Sequence, residues 1–240
     1  MSPIVRLASS LNRMNLRAIP LIVVLTAFGS ACGGSSSRHS VTPPPSGLPD
    51  PQTYAARMDA KERYWWQQPE RVVELLRCAP GMTVVDLGAG TGYFLPYLSS
   101  AVGRSGRVLA LDVERSMVDI IFRRVERERL FNVSPRLVHP DDPALTPRSV
   151  DRVLVVNTWH HLTDRVAYAK KLLEALRPGG LVLVVDFDEN SPEGPPVELR
   201  LSPSTVVTEL ESAGLSTELL GESLPYQYAI AARIPEASSL

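Results

Sequence analysis

The sequence predicts an open, doubly wound α/β sheet, and three observations carry that prediction. Apolar, β-branched runs of five to seven residues alternate with helix-length segments along residues 64–213. One of these runs, Thr83–Leu87, feeds the turn Gly88-Ala89-Gly90-Thr91-Gly92, which opens a helix-compatible segment. Another, Arg107–Asp112, ends in an acid twenty residues after the last of those glycines.

The elements follow in order. Residues 64–78 form a leading helical region, interrupted near Pro69 because proline disfavours helix in the residue before it. Thr83–Leu87 is the first strand, and residues 93–102 are the first crossover helix. Arg107–Asp112 is the second strand, 116–129 a helix and 134–138 the third strand. Residues 152–156 give the fourth strand, 165–176 a helix and 181–187 the fifth strand. In residues 202–213, Val206, Val207, Leu210 and Ala213 recur at helical spacing, and Gly214 suits the end of that helix. Residues 216–221 and 226–233 then suit a terminal hairpin, with Tyr226 and Tyr228 on one face of its second strand. No internal repeat is present.

The glycine turn implies a ligand, because glycine lets the backbone take φ > 0 and lets a ligand approach the main chain. A dinucleotide fingerprint places a small residue where Tyr93 stands, and the third glycine here comes one position early. The stretch V-V-D-L-G-A-G-T-G-Y-F (84–94) instead resembles motif I of the class I S-adenosylmethionine-dependent methyltransferases. Three further segments resemble the same family: H-P-D-D-P-A-L-T-P-R-S-V-D after Val138, D-R-V-L-V-V-N-T-W-H-H-L from Asp151, and L-R-P-G-G-L-V-L-V-V-D-F from Leu176. The resemblance covers roughly residues 62–233. It implies a Rossmann-like, mostly parallel sheet of seven strands with one antiparallel strand near the C-terminus, and S-adenosyl-L-methionine as cofactor.

It also implies roles. Asp86 would lie near the methionine end of the cofactor, with Gly88, Ala89, Gly90 and Gly92 passing beneath it. Asp112 would hold the ribose hydroxyls, with Val113 beside it, and Asp141 would meet the adenine amino group, with Asp142 close behind. Asn157 completes the cofactor set. Each has a plainer reading: the glycines as a tight βα connection, Asp112 as a helix-capping acid, and Asp141 and Asp142 as turn formers next to proline.

Methyl transfer from a sulfonium is an in-line displacement, so the enzyme supplies alignment, exclusion of water and, where needed, a base. His160 and then His161 are the candidates for base or substrate ligand, and Asp186 ends the fifth strand nearby. The alternative is that both histidines only cap or orient their loop. The N-T-W-H run is not the N-P-P-Y signature of amino-group methylation. Trp66 or Tyr64 could cover a sulfonium by a cation–π contact, or could instead fix the leading helix to the domain. The expected function is methylation of an unidentified small molecule. The alternatives are a non-catalytic lipoprotein that binds an adenosyl ligand, and a nicotinamide-dependent oxidoreductase.

Composition bounds the rest. The 240 residues suffice for one large α/β domain, and 44% apolar with 21% charged residues suits a globular one. A net charge of −1 offers no footprint for nucleic acid. Arg6, Arg13 and Arg17 precede an apolar run over residues 19–28 and the small residues before Cys32, which reads as a secretory signal over 1–32. Cys32 after Ala31 resembles a bacterial lipoprotein site, where lipid on the cysteine would be the only membrane contact. Removing residues 1–32 takes away three arginines and no acid, leaving a net charge of −4. Residues 33–55 read as a Gly/Ser- and Pro-rich linker and 56–240 as the methyltransferase domain. This organisation implies export to the periplasm or outer membrane, whereas S-adenosylmethionine is made in the cytosol. A start at Met14 or Met58 would remove that conflict. Cys78 is expected to pack as a small hydrophobe. No metal is expected, since His39 lies in the linker and the adjacent His160 and His161 should point in different directions. The oligomeric state is left open.

Overall fold

The computed structural model describes residues 51–221 and 224–235. The expected signal, Cys32 and the linker as far as residue 50 lie outside the described residues. Helices α1 (Pro51–Met58), α2 (Arg63–Gln67) and α3 (Pro69–Leu75) lead into β1 (Thr83–Leu87), α4 (Leu95–Val102), β2 (Arg107–Asp112), α5 (Arg115–Glu128) and β3 (Val133–Leu137). Then come β4 (Val150–Val156), a 3₁₀ turn (Trp159–His161), α6 (Arg165–Ala175), β5 (Leu176–Phe187), a second 3₁₀ turn (Val197–Leu199), α7 (Pro203–Ser212), β6 (Ser216–Leu219) and β7 (Gln227–Arg233).

The seven strands form one sheet in the order β3-β2-β1-β4-β5-β7-β6. Strands β1 to β5 pair in parallel, and β7 runs antiparallel to both β5 and β6. The chain moves outward from β1 to β3 and then returns to place β4 on the other side of β1. That reversal leaves a crevice at the carboxyl ends of β1 and β4, the usual ligand position in an open α/β sheet.

Alternation along each strand splits the core into two layers. Val84, Val108, Leu154 and Leu183 face Leu95, Leu98 and Ile121 of α4 and α5. Val85, Leu109, Val153 and Val182 face Leu172 and Leu210 of α6 and α7. Because helices cover both faces, the central strands read as nearly continuous apolar runs.

Several boundaries depart from expectation, β4 among them, which begins at Val150 rather than at residue 152. Helix α1 begins at Pro51, so the last five residues assigned to the linker are helical. Helix α4 begins at Leu95, two residues late, because residues 91–94 are still turning out of Gly92. Strand β5 begins at Leu176, where Leu176 pairs with Val150 and Leu181 pairs with Arg152. The expected Pro-Gly-Gly turn is therefore a bulge inside the strand, with residues 177–180 opposite Asp151 and Gly179 at φ 75°. The expected break before Pro69 is present, with Gln68 at φ 46° between α2 and α3. Side-chain oxygens cap two other helices: Asp164 accepts from Ala167 N and Ser202 from Thr205 N.

Candidate active site

The glycine turn is built so that no side chain fits. Gly88, Gly90 and Gly92 have φ of 70°, 56° and 80°. A Cβ on Gly88 would collide with the Thr158 side chain, and one on Gly90 with the Met58 methyl. Gly88 N and Ala89 N donate to the Leu111 carbonyl at 2.9 and 3.0 Å, fixing the turn to the end of β2. Asp112 completes the join: Oδ2 accepts from Gly90 N at 2.7 Å and Oδ1 from Glu114 N at 2.9 Å. Burial raises its pKa, and the hydrogen bonds from Glu114 and Gly90 oppose that rise. Asp112 thus ties the glycine turn to the loop before α5 and does not cap that helix, whose N-cap Glu114 has no side-chain cap bond, while each carboxylate oxygen retains accepting capacity for a ribose hydroxyl.

Asp86 sits at the floor of the turn, fully buried. Burial and the neighbouring Asp112 push its carboxyl up to about 7, against the pull of the Arg63 guanidinium. Its Oδ2 has no hydrogen-bond partner. An orphaned buried carboxylate oxygen implies a donor supplied from outside. Together with the side-chain-free turn and the Asp112 carboxylate, it fits a cofactor bearing a cationic amine and a ribose.

A cleft opens beside this turn between Leu87, Gly88, Asp112, Val113, Thr158 and His161. The structure therefore brings together Gly88, Asp112, Val113 and His161. Asp141 is not among the residues lining the cleft. Its side chain is 65% exposed and lies 3.6 Å from His139, while its carbonyl accepts from Lys171. Asp142 accepts from Ala144 N, as a turn former does, and Val138 and Pro140 supply the cleft wall in their place.

Asn157, at φ 53°, turns its amide into a buried network. Gln227 Nε2 donates to Asn157 Oδ1 at 2.5 Å, Gln67 Nε2 donates to Gln227 Oε1 at 2.6 Å, and Arg63 donates twice to Gln67 Oε1 at 3.0 and 3.2 Å. Arg63 also donates to the Met58 carbonyl and lies 4.1 Å over the Tyr93 ring. Arg63 thus makes its shortest cation–π contact with Tyr93, an interaction separate from the sulfonium contact considered for Trp66 or Tyr64. Trp66 packs against Phe187 and Tyr226, and Tyr64 bonds Glu70 on the surface.

The histidines separate in role. His160 Nδ1 lies 2.8 and 3.0 Å from the two Asp186 oxygens, with side chains 5% and 3% exposed. Asp186 Oδ1 also accepts from Phe187 N. His161 faces the cleft, and burial followed by the proximity of His160 lowers its pKa. The two rings meet different partners, His160 the Asp186 carboxylate and His161 the cleft. The 3₁₀ turn brings their ring centroids to 4.1 Å. No group of metal-ligating side chains occurs among the described residues.

Sequence reasoning missed Arg63, Gln67 and Gln227. Gln67 and Gln227 showed only as polar residues inside the otherwise apolar W-W-Q-Q-P and L-P-Y-Q-Y segments, and Arg63 lies outside both. Met58 and Asp59 were missed as well. Asp59 accepts from Thr91 Oγ1 and from Arg124, both at 2.7 Å, which holds the segment after α1 across the glycine turn.

The methyltransferase domain family matches residues 84–180 of the chain, the stretch from the glycine turn to the β5 bulge. The chain is 27% identical over 118 residues to the ubiquinone/menaquinone biosynthesis C-methyltransferase UbiE of Hydrogenovibrio crunogenus, covering 49% of this chain and 46% of that protein. It is 27% identical over 203 residues to an uncharacterized transposon protein of Streptomyces fradiae, covering 80% of this chain and 56% of that protein. The chain thus spans about half the length of the curated relatives it matches. Its fold resembles the crystal structure of a SAM-dependent methyltransferase from Aquifex aeolicus, with TM-score 0.73, 30% identity, 78% of this chain covered and 100% of that one. The glycine turn, the buried acids beside it and a relative matched along its full length lead to one conclusion: the chain belongs to the S-adenosylmethionine-dependent methyltransferases.

Proposed function

We propose that the chain transfers a methyl group from S-adenosyl-L-methionine to a small molecule. The observation that carries this reading is the orphaned, buried Asp86 Oδ2 beneath a glycine turn that admits no side chain. When bound, the cofactor supplies a methyl group on a positively charged sulfur with a neutral thioether as leaving group. Asp86 accepts from its amine and compensates its charge, Asp112 accepts from its ribose, and Val113 packs beside the base. Gly88, Ala89, Gly90 and Gly92 let the main chain approach closely. His161, neutral near pH 7, receives an acceptor proton at the cleft. Asp186 fixes His160 behind it, so His160 acts on the position of the His161 ring. The UbiE relatives make C-methylation of a quinone-biosynthesis intermediate the first acceptor chemistry to screen.

Calorimetric titration of the full chain tests this reading. Micromolar binding of S-adenosylmethionine with none of NAD supports it. Silence with S-adenosylmethionine from a folded protein removes both the cofactor and the enzyme assignment.

The N-terminal composition supports a second part of the proposal: residues 1–32 direct export, and Cys32 carries the lipid that tethers the domain through its linker. Fatty-acid labelling that is lost in Cys32→Ser, with the parent in the membrane fraction, is the expected result. Unlabelled parent in the cytosol would overturn it and resolve the problem of cofactor supply.

A further inference from the structure

A cavity of about 250 Å³ shares no lining residue with the cofactor cleft and reaches the opposite end of β1 and β2. Its lining includes Thr83 and Arg107, the first residues of β1 and β2, while the cleft takes Leu87 and Asp112, the last residues of the same strands. Five residues of strand separate the two ends of β1, roughly 15 Å at the usual rise.

Three guanidinium groups line this cavity: Arg107, Arg136 and Arg177. Register explains the first two. Arg107 is level with Thr83, and Arg136 with Leu111, so both arginines lie on the same face as Leu109, which forms the floor. Arg177 reaches in from the β5 bulge. It is paired with Asp151 Oδ2 at 2.6 Å, an oxygen that also accepts from Thr83 N. The guanidinium groups of Arg107 and Arg136 make no hydrogen bond or ion pair with any described residue. The hydroxyls of Thr83, Thr146 and Ser149 also line the space, and Ser149 already donates to the Thr146 carbonyl.

Three cations around one cavity repel one another, and the single carboxylate of Asp151 offsets only one of them. A multiply charged anion relieves that repulsion. Planar guanidinium groups pair with oxyanions through two parallel hydrogen bonds each. Two unpaired guanidinium groups, reinforced by threonine hydroxyls, need more acceptor oxygens than one carboxylate provides, which favours phosphate. The volume exceeds that of a lone phosphate and leaves room for an attached group against Leu109 and Leu145.

We propose that this cavity binds a small phosphate-bearing anion, separately from S-adenosylmethionine. The probes are inorganic phosphate and pyrophosphate, titrated into the full chain by calorimetry at fixed ionic strength. Pyrophosphate is expected to bind more tightly than phosphate, to be undisturbed by saturating S-adenosylmethionine, and to weaken at least tenfold in the Arg107→Gln/Arg136→Gln variant. The single variants are read as well, since both side chains are exposed and without internal bonds and should leave folding intact. Cofactor affinity should be the same in parent and variants. No pyrophosphate binding in the parent, equal binding in the double variant, competition with S-adenosylmethionine, or an equal response to chloride at matched ionic strength would each overturn the proposal.

Discussion

Asp86 carries a buried carboxyl whose pKa, near 3.8 in an unfolded chain, is pushed up to about 7 in the fold. The folded protein therefore holds a proton that the unfolded chain gives up over that interval. Stability from this group is fully present below pH 4 and is lost as the pH rises through about 7. A gap of that size corresponds to about 4 kcal/mol at most. Asp86→Asn should accordingly melt above the parent at pH 8, and the difference should shrink toward pH 5. An equal difference at both values would contradict the assignment. The same variant should lose cofactor affinity most at pH 8, where the parent carboxyl carries the charge a cationic amine needs, and less at pH 5, where the parent is protonated as well. Gly88 gives a companion prediction. At φ 70° and against Thr158, Gly88→Ala should cost at least about 1–2 kcal/mol and lower Tm. Cofactor binding in calorimetry should fall with it. Both residues were legible in the sequence, since an acid followed by spaced glycines after a strand restricts the chemistry. Asp141 was not, because acids beside a proline can serve a turn as well as a ligand.

Helices α2 and α3 show why local signals locate a break without explaining it. Pro69 announces the interruption, but Gln68 takes the left-handed conformation so that Gln67 can turn inward to Gln227 and Arg63. Gln67 is fully buried. Gln67→Leu removes the acceptor of two Arg63 N–H bonds and the donor to Gln227 Oε1 and should cost about 2 kcal/mol, roughly 4–8 °C in Tm. Gln68→Gly should raise Tm, because glycine takes φ 46° without strain. Thermal melts of the two variants read these opposite shifts. The partners in this network are 160 and 90 residues apart in the chain, so no periodicity could have joined them. Tyr226 and Tyr228 show the same limit. Alternation placed them on one face, but β7 begins at Gln227, and Tyr226 packs with Trp65 and Trp66 while Tyr228 packs against the α6–α7 layer.

All described residues belong to one compact unit, within the span 47–240. Expressed alone, residues 47–240 should melt within a few degrees of the full chain and bind S-adenosylmethionine with the same affinity. A much lower Tm would mean that the upstream residues contribute to the core. The alternation of strands and helices was legible, because hydrophobic period, strand length and turn residues are local properties of the chain. The reversed strand near the C-terminus was implied by the family resemblance, and the strand order came from the structure alone. The local properties also placed Asp86, the glycines and Asp112 at strand ends, where the crevice forms. Tertiary structure alone decided which groups meet there. It set His161 in the cleft and His160 against Asp186, laid Met58 and Asp59 over the glycine turn, and gathered Arg107, Arg136 and Arg177 around a separate cavity. Such contacts depend on register and on loop paths across the sheet, which are settled by packing among residues far apart in sequence.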